Sequence, residues 1–266
     1  MMGMRLSDRF ERRLNRTLLL VCLLAIALVT AYRIAVFEPS DKAIVALMSD
    51  SRVRVSSSSE WWLLEPAQGD RKSPGVIVYP GLLADAAGYS PWARMLAERG
   101  YPVYLVKMPL HFSPLAPERA THILNKHPRE AFVIGGHSLG GAVAARYAAS
   151  HRERVEGLFL IASFIDREAG KEVVGLPVLQ VAATKDGIIT LNVSDREREQ
   201  LPGTTEYVNI RGGNHQQFAS YAEEWQDYPP AISEAEQLSL TAGALENWLS
   251  HLGSTLSFDR THSFRK

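Results

Sequence analysis

Ser138 stands in Gly136-His137-Ser138-Leu139-Gly140, directly after the apolar run Ala131-Phe132-Val133-Ile134 and directly before the small-residue stretch Gly141-Ala142-Val143-Ala144-Ala145. A short apolar run reads as a buried strand and an Ala-rich stretch as a closely packed helix, so the serine sits where a strand turns into a helix. Glycines on either side leave room for a sharp turn that a Cβ would obstruct. The turn lifts the hydroxyl clear of the sheet and frees the Leu139 amide to donate. A serine so placed is suited to acyl transfer.

A serine hydroxyl is a weak nucleophile at neutral pH, so a base must take its proton during attack. Eight histidines are present. His137 is fixed in the turn beside the serine, with its side chain expected to point elsewhere. His127, His151, His251 and His262 lie in polar or tail contexts, and His111 and His122 follow the strand Val103–Val106. His215, in Arg211-Gly212-Gly213-Asn214-His215, comes directly after the last strand, on a loop at the carboxyl end where such sheets present their chemistry. It is the best base. The imidazole in turn needs a carboxylate to fix its tautomer. Asp186, in Thr184-Lys185-Asp186-Gly187, lies between serine and histidine in chain order; Asp166, after the preceding strand, is its rival. An Asp-Gly pair also forms turns on its own account. Two amides must face the oxyanion of a tetrahedral intermediate. Leu139 supplies one, and the turn Tyr79-Pro80-Gly81-Leu82 the other, with Leu82 the first choice and Gly81 the second.

The elements that must position these residues alternate. Strand-like runs at 53–55 and 61–64 precede the sequence Gly75–Tyr79, Val103–Val106, 131–134, Gly157–Ile161, 178–182 and Glu206–Ile210. Helical spacing recurs at 39–51, 89–99 and 118–126. The alternation implies an α/β fold: a mostly parallel, twisted sheet of about seven to eight strands with helices on both faces, opened by an antiparallel hairpin. A last helix is signalled by Ser233 and Glu236 as a capping box, with Leu238, Ala242, Leu245 and Leu249 on one stripe. Residues 253–266 read as a flexible tail. Trp61, Trp62, Trp92, Trp225 and Trp248 read as core or rim packing, with Trp92 and Met95 able to border an acyl pocket.

The first sixteen residues carry Arg5, Arg9, Arg12, Arg13 and Arg16, and an apolar stretch follows from 17 to 31 and on through Ile34-Ala35-Val36-Phe37. This reads as a transmembrane helix with its basic flank in the cytoplasm and the remaining chain outside. Cleavage as a signal peptide after Ala27 or Ala31 is the alternative, which would give a secreted protein. Residues 1–37 thus form a basic stub and membrane segment, 38–72 a linker with the N-terminal strands, and 73–252 the core. With 29 basic and 29 acidic residues the chain offers no global field for nucleic acid. Cys22, the single cysteine, lies in the apolar segment and leaves the core without thiol chemistry.

Taken together, Val78-Tyr79-Pro80-Gly81, Val106-Lys107-Met108-Pro109-Leu110, Gly135-Gly136-His137-Ser138-Leu139-Gly140-Gly141, Lys185-Asp186-Gly187 and Gly212-Gly213-Asn214-His215-Gln216-Gln217-Phe218 resemble the small alpha/beta hydrolases of the dienelactone-hydrolase-like branch, over about residues 73–251. The resemblance implies Ser138, Asp186 and His215 as nucleophile, acid and base, with no metal or organic cofactor. Pro80-Gly81 replaces a His-Gly common among relatives, and serine replaces the cysteine of the true dienelactone enzymes. About fifteen residues separate Ile161 from the next strand, too few for a large lid, so an open pocket is expected. The expected activity is cleavage of a carboxylic ester or related acyl bond in a small-molecule or lipid-like substrate. Transfer to a lipid or envelope acceptor, and a non-catalytic binding module on the same fold, are the alternatives.

Overall fold

The computed structural model describes residues 3–69, 71–189, 200–223 and 227–263. The chain divides into two compact units, residues 1–36 and 37–266. The first is one helix, α1 (Gly3–Ala35), within which Arg13–Ala35 is a 23-residue stretch of mean hydropathy 2.4. At 1.5 Å per residue that stretch is about 34 Å long, enough to cross a hydrocarbon core of about 30 Å.

The second unit holds an eight-stranded sheet in the order β1-β2-β4-β3-β5-β6-β7-β8. The strands are β1 (Val53–Ser57), β2 (Trp61–Pro66), β3 (Gly75–Tyr79), β4 (Val103–Val106), β5 (Phe132–His137), β6 (Gly157–Ile161), β7 (Val178–Ala183) and β8 (Glu206–Ile210). The β1–β2 hairpin and the β2–β4 pairing are antiparallel, and every later pairing is parallel. β5 runs three residues further than its apolar run implies, through Gly135 and Gly136 to His137, because Tyr79 and Ile161 pair with it up to the turn.

Parallel strands buried on both faces read as unbroken apolar runs. In β3, Val76 and Val78 join one core with α3 (Ser90–Glu98) and the last helix, α7 (Glu234–Ser263). Ile77 and Tyr79 join the other, with α4 (Arg119–Lys126), α5 (Leu139–Ser150) and α6 (Arg167–Glu172). A short α2 (Asp41–Ala46), capped by Ser40, precedes β1. The stripe Leu238, Ala242, Leu245 and Leu249 is buried as its spacing requires, and Ser233 Oγ accepts the Glu236 amide at 3.2 Å. α7 runs to Ser263, through the first part of the 253–266 stretch expected to be a flexible tail; no proline interrupts it. Trp61, Trp92 and Trp248 are core residues, and Trp225 lies outside the described residues.

Candidate functional site

The loops that leave β3, β5, β7 and β8 at their carboxyl ends carry the residues singled out by the sequence. Ser138 links β5 to α5 with φ 53° and ψ −126°. A non-glycine residue in such a conformation costs about 1–3 kcal/mol and persists where its surroundings enforce it. Here the Ser138 N–H donates to Ile161 O at 3.0 Å and Ser163 Oγ donates to Ser138 O at 2.6 Å. The strain falls on the serine, while its glycines supply space: a Cβ on Gly136 or Gly140 would run into the Tyr79 carbonyl oxygen.

His215 Nδ1 donates to Asp186 Oδ2 at 2.8 Å, with both side chains largely out of solvent. Asp186 Oδ1 accepts two further amides, Ile188 N–H at 2.8 Å and Ile189 N–H at 2.6 Å. The carboxylate therefore forms a turn with one oxygen and orients the imidazole with the other. Asp166 is occupied elsewhere: it caps α6 and pairs with Arg146 at 2.6 Å. Ser138 and His215 line one cavity of about 180 Å³, together with Phe37, Leu82, Ile188 and Tyr221. Among the described residues no hydrogen bond joins Ser138 Oγ to His215.

Around the turn after β3, Gly81 N–H donates to Tyr89 Oη at 3.0 Å and Leu83 N–H to His111 O at 2.8 Å. Leu82 N–H, between them, has no acceptor among the described residues, and neither has Leu139 N–H at the start of α5, where helical amides are unpaired by position. Gly81, the second choice for the oxyanion, already has its acceptor.

Two expectations need correction. His137 does not point away from the site: its ring lies 4.5 Å from that of His215, centroid to centroid, and it lines the cavity. Burial first, and then His215, hold its pKa well below the ordinary imidazole value. Tyr89 Oη accepts from Gly81 N–H and from Tyr221 Oη, so its own proton goes to His137 Nδ1, 3.0 Å away. His137 is thereby a neutral imidazole carrying its proton on Nε2, a buried atom with no hydrogen-bond partner among the described residues. Trp92 and Met95, in turn, do not border the cavity. Trp92 is fully buried and donates from Nε1 to Phe218 O at 3.1 Å, bracing the segment that follows His215.

The sequence pattern of the Alpha/beta hydrolase family matches residues 75–239, more than half of the chain. The chain belongs to the alpha/beta hydrolase family. No curated protein sequence matches it. Among solved structures it is similar to MGS-MChE2, an alpha/beta hydrolase enzyme from the sediment metagenome of the Mar Chica lagoon, Morocco, with TM-score 0.56, 15% identity, and coverage of 74% of this chain and 98% of that one. It is likewise similar to a dienelactone hydrolase from Anabaena variabilis, with TM-score 0.54, 18% identity and coverage of 75% and 98%. A third likeness is to an esterase from Mycobacterium tuberculosis, with TM-score 0.53, 14% identity and coverage of 77% and 95%. At these identities the likeness is one of fold.

Within this alpha/beta hydrolase two further residues position the site, and the sequence reading missed both. Asp227 spans the two loops: Oδ1 accepts Gly187 N–H at 2.8 Å and Oδ2 accepts Gln216 N–H at 3.1 Å. Gln237, buried on α7, accepts Asn214 N–H at 2.9 Å and donates to Asn214 O at 2.7 Å, clamping the residue before His215. An aspartate just before Tyr228-Pro229-Pro230 is the one local signal for the first. A glutamine among the apolar positions of α7 is the signal for the second.

Proposed function

We propose that the protein is a serine hydrolase that cleaves a carboxylic ester or related acyl bond. The observation that carries this reading is a serine held at positive φ in the same cavity as a buried His215–Asp186 pair. Ser138 Oγ attacks the carbonyl carbon while His215 Nε2 takes its proton, and Asp186 steadies the resulting imidazolium through Nδ1. The oxyanion forms between the Leu139 and Leu82 amides, both without acceptors among the described residues. His215 then returns the proton to the leaving alcohol, and water, activated by the same imidazole, hydrolyses the acyl-enzyme. Hydrogen bonds of this kind are commonly long in the free enzyme and close in the complex.

The walls contributed by Phe37, Leu82 and Ile188 suit an apolar acyl group. A cavity of about 150 Å³ holds benzene, so about 180 Å³ holds a short acyl chain. The basic flank before the apolar stretch of α1 supports a single-pass anchor with the hydrolase outside the cytoplasm. A fluorophosphonate probe should label Ser138, and Ser138→Ala should abolish both labelling and turnover of short acyl esters. Unlabelled, inactive, well-folded wild-type protein would overturn the proposal.

A further inference from the structure

Residues 37–40 directly follow the apolar helix and precede the family match, which begins at residue 75. They lie across the site. Phe37 N–H donates to Leu83 O at 2.8 Å, and Asp85 N–H donates to Phe37 O at 3.1 Å, so Phe37 forms a parallel bridge with Ala84. Leu82, whose amide faces the proposed oxyanion, is the residue just before this bridge. On its other side the strap holds the segment after His215. Ser40 N–H donates to Ser220 O and Ala222 N–H to Glu38 O, each at 3.0 Å, and Pro39 bridges Tyr221.

The side chain of Phe37 closes the circuit. It packs on Tyr221 with ring centroids 5.2 Å apart, and Tyr221 Oη donates to Tyr89 Oη, which accepts Gly81 N–H. The loop 81–85 is therefore held at residues 83 and 85 by the strap's main chain and at residue 81 through Phe37's stacking partner. Phe37 also forms part of the cavity wall.

We infer that Phe37, supplied by the segment outside the common hydrolase core, positions the oxyanion loop and sets the acyl length the cavity accepts. The inference rests on the serine-hydrolase reading. Anchorage and cleavage after Ala27 or Ala31 both leave the strap in place. A pocket wall that gains or loses a methylene-sized space changes discrimination by about 10–200-fold. Phe37 has far more to give than one methylene.

The test uses the full-length chain in detergent, with Phe37→Ala, Phe37→Leu and Phe37→Trp assayed on p-nitrophenyl esters from acetyl to octanoyl and each melting temperature recorded. Phe37→Ala should raise the octanoyl-to-acetyl ratio of kcat/KM by about tenfold or more, Phe37→Trp should lower it by as much, and Phe37→Leu should fall between wild type and Phe37→Ala. The rate of fluorophosphonate labelling should fall by about tenfold in Phe37→Ala, short of the 10²–10³ expected for outright loss of an oxyanion donor. Phe164→Ala, at a wall of a different cavity, should leave the ratio unchanged. A uniform loss across all esters in step with melting temperature, or an unchanged profile in the folded variants, would overturn the inference. An inactive, unlabelled wild-type protein would instead overturn the underlying hydrolase reading, and this inference with it.

Discussion

Asp186→Asn separates two roles that one carboxylate fills at once. Oδ1 accepts the Ile188 and Ile189 amides at 2.8 and 2.6 Å, and Oδ2 accepts His215 Nδ1 at 2.8 Å. An asparagine carbonyl can take the place of Oδ1 and keep both turn bonds. Its NH₂ then meets the imidazole, which can answer only by making Nδ1 the acceptor and moving its proton to Nε2. The nitrogen that should receive the Ser138 proton is thereby already protonated. Loss of the correct tautomer in this arrangement lowers kcat by about 10⁴, or about 5.5 kcal/mol of barrier. Stability moves much less, because one charge-assisted bond worth about 1.5–3 kcal/mol is exchanged for a neutral one. At about 2–4 °C per kcal/mol the melting temperature should fall by several degrees at most. Ester turnover and thermal melting, measured on the same preparation, decide the matter. A folded Asp186→Asn protein that keeps more than a tenth of wild-type kcat would reduce Asp186 to a turn residue and remove it from the proposed mechanism.

Asp227→Ala frees the Gly187 and Gln216 amides at once and uncouples the loops that carry Asp186 and His215. It should lower kcat about tenfold or more with a smaller change in KM, because displacement of the base is felt in the chemical step. His137 supplies a pH test of folding. Its pKa is depressed by burial and by His215, so above the ordinary imidazole value of 6.5 it is neutral in both folded and unfolded chains and contributes no pH dependence. As the pH falls below 6.5, the unfolded state takes up a proton that the folded state refuses, and stability is lost at about 1.4 kcal/mol per pH unit. Between about pH 6.5 and 5, chemical denaturation should show wild type losing this increment relative to His137→Gln. Parallel pH profiles for the two proteins would refute the assignment of a neutral, buried His137.

The strand set, its parallel core and the elbow serine are legible because they are written in contiguous residues. A run such as Gly75–Tyr79 is apolar throughout because both of its faces are covered, and glycines crowd Ser138 because neighbouring main chain leaves no room for a Cβ. The pairing of His215 with Asp186 over Asp166 is legible only as chain order. What excludes Asp166 is tertiary: its carboxylate is already taken by the first amides of α6 and by Arg146. His137 was misplaced for the opposite reason. Its neighbour is a catalytic candidate in sequence, yet its partners Tyr89 and His215 come from two other segments, and a single sequence carries no mark of that convergence.

The loop bearing His215 illustrates why such marks are missing. Residues 211–215 form neither helix nor strand, yet Asn214 and His215 are buried. Buried loop backbone must find partners, and here they come from the loop after β7, from α7 and from α3. Thr184 Oγ1 accepts Gly212 N–H at 2.8 Å, Lys185 N–H donates to Gly213 O at 2.8 Å, Gln237 of α7 clamps Asn214, and Trp92 of α3 caps Phe218 O. The loop is thus fixed by the fold around it and owes little to any preference of its own sequence. The same logic governs the loop 81–85, whose supports are Tyr89, His111 and the strap at Phe37. An imidazole and an oxyanion amide must be held to within a fraction of an ångström for acyl transfer to proceed. In this chain the proposed placement is assembled from residues as far apart as 37 and 237, and the candidate catalytic residues are the local part of the design.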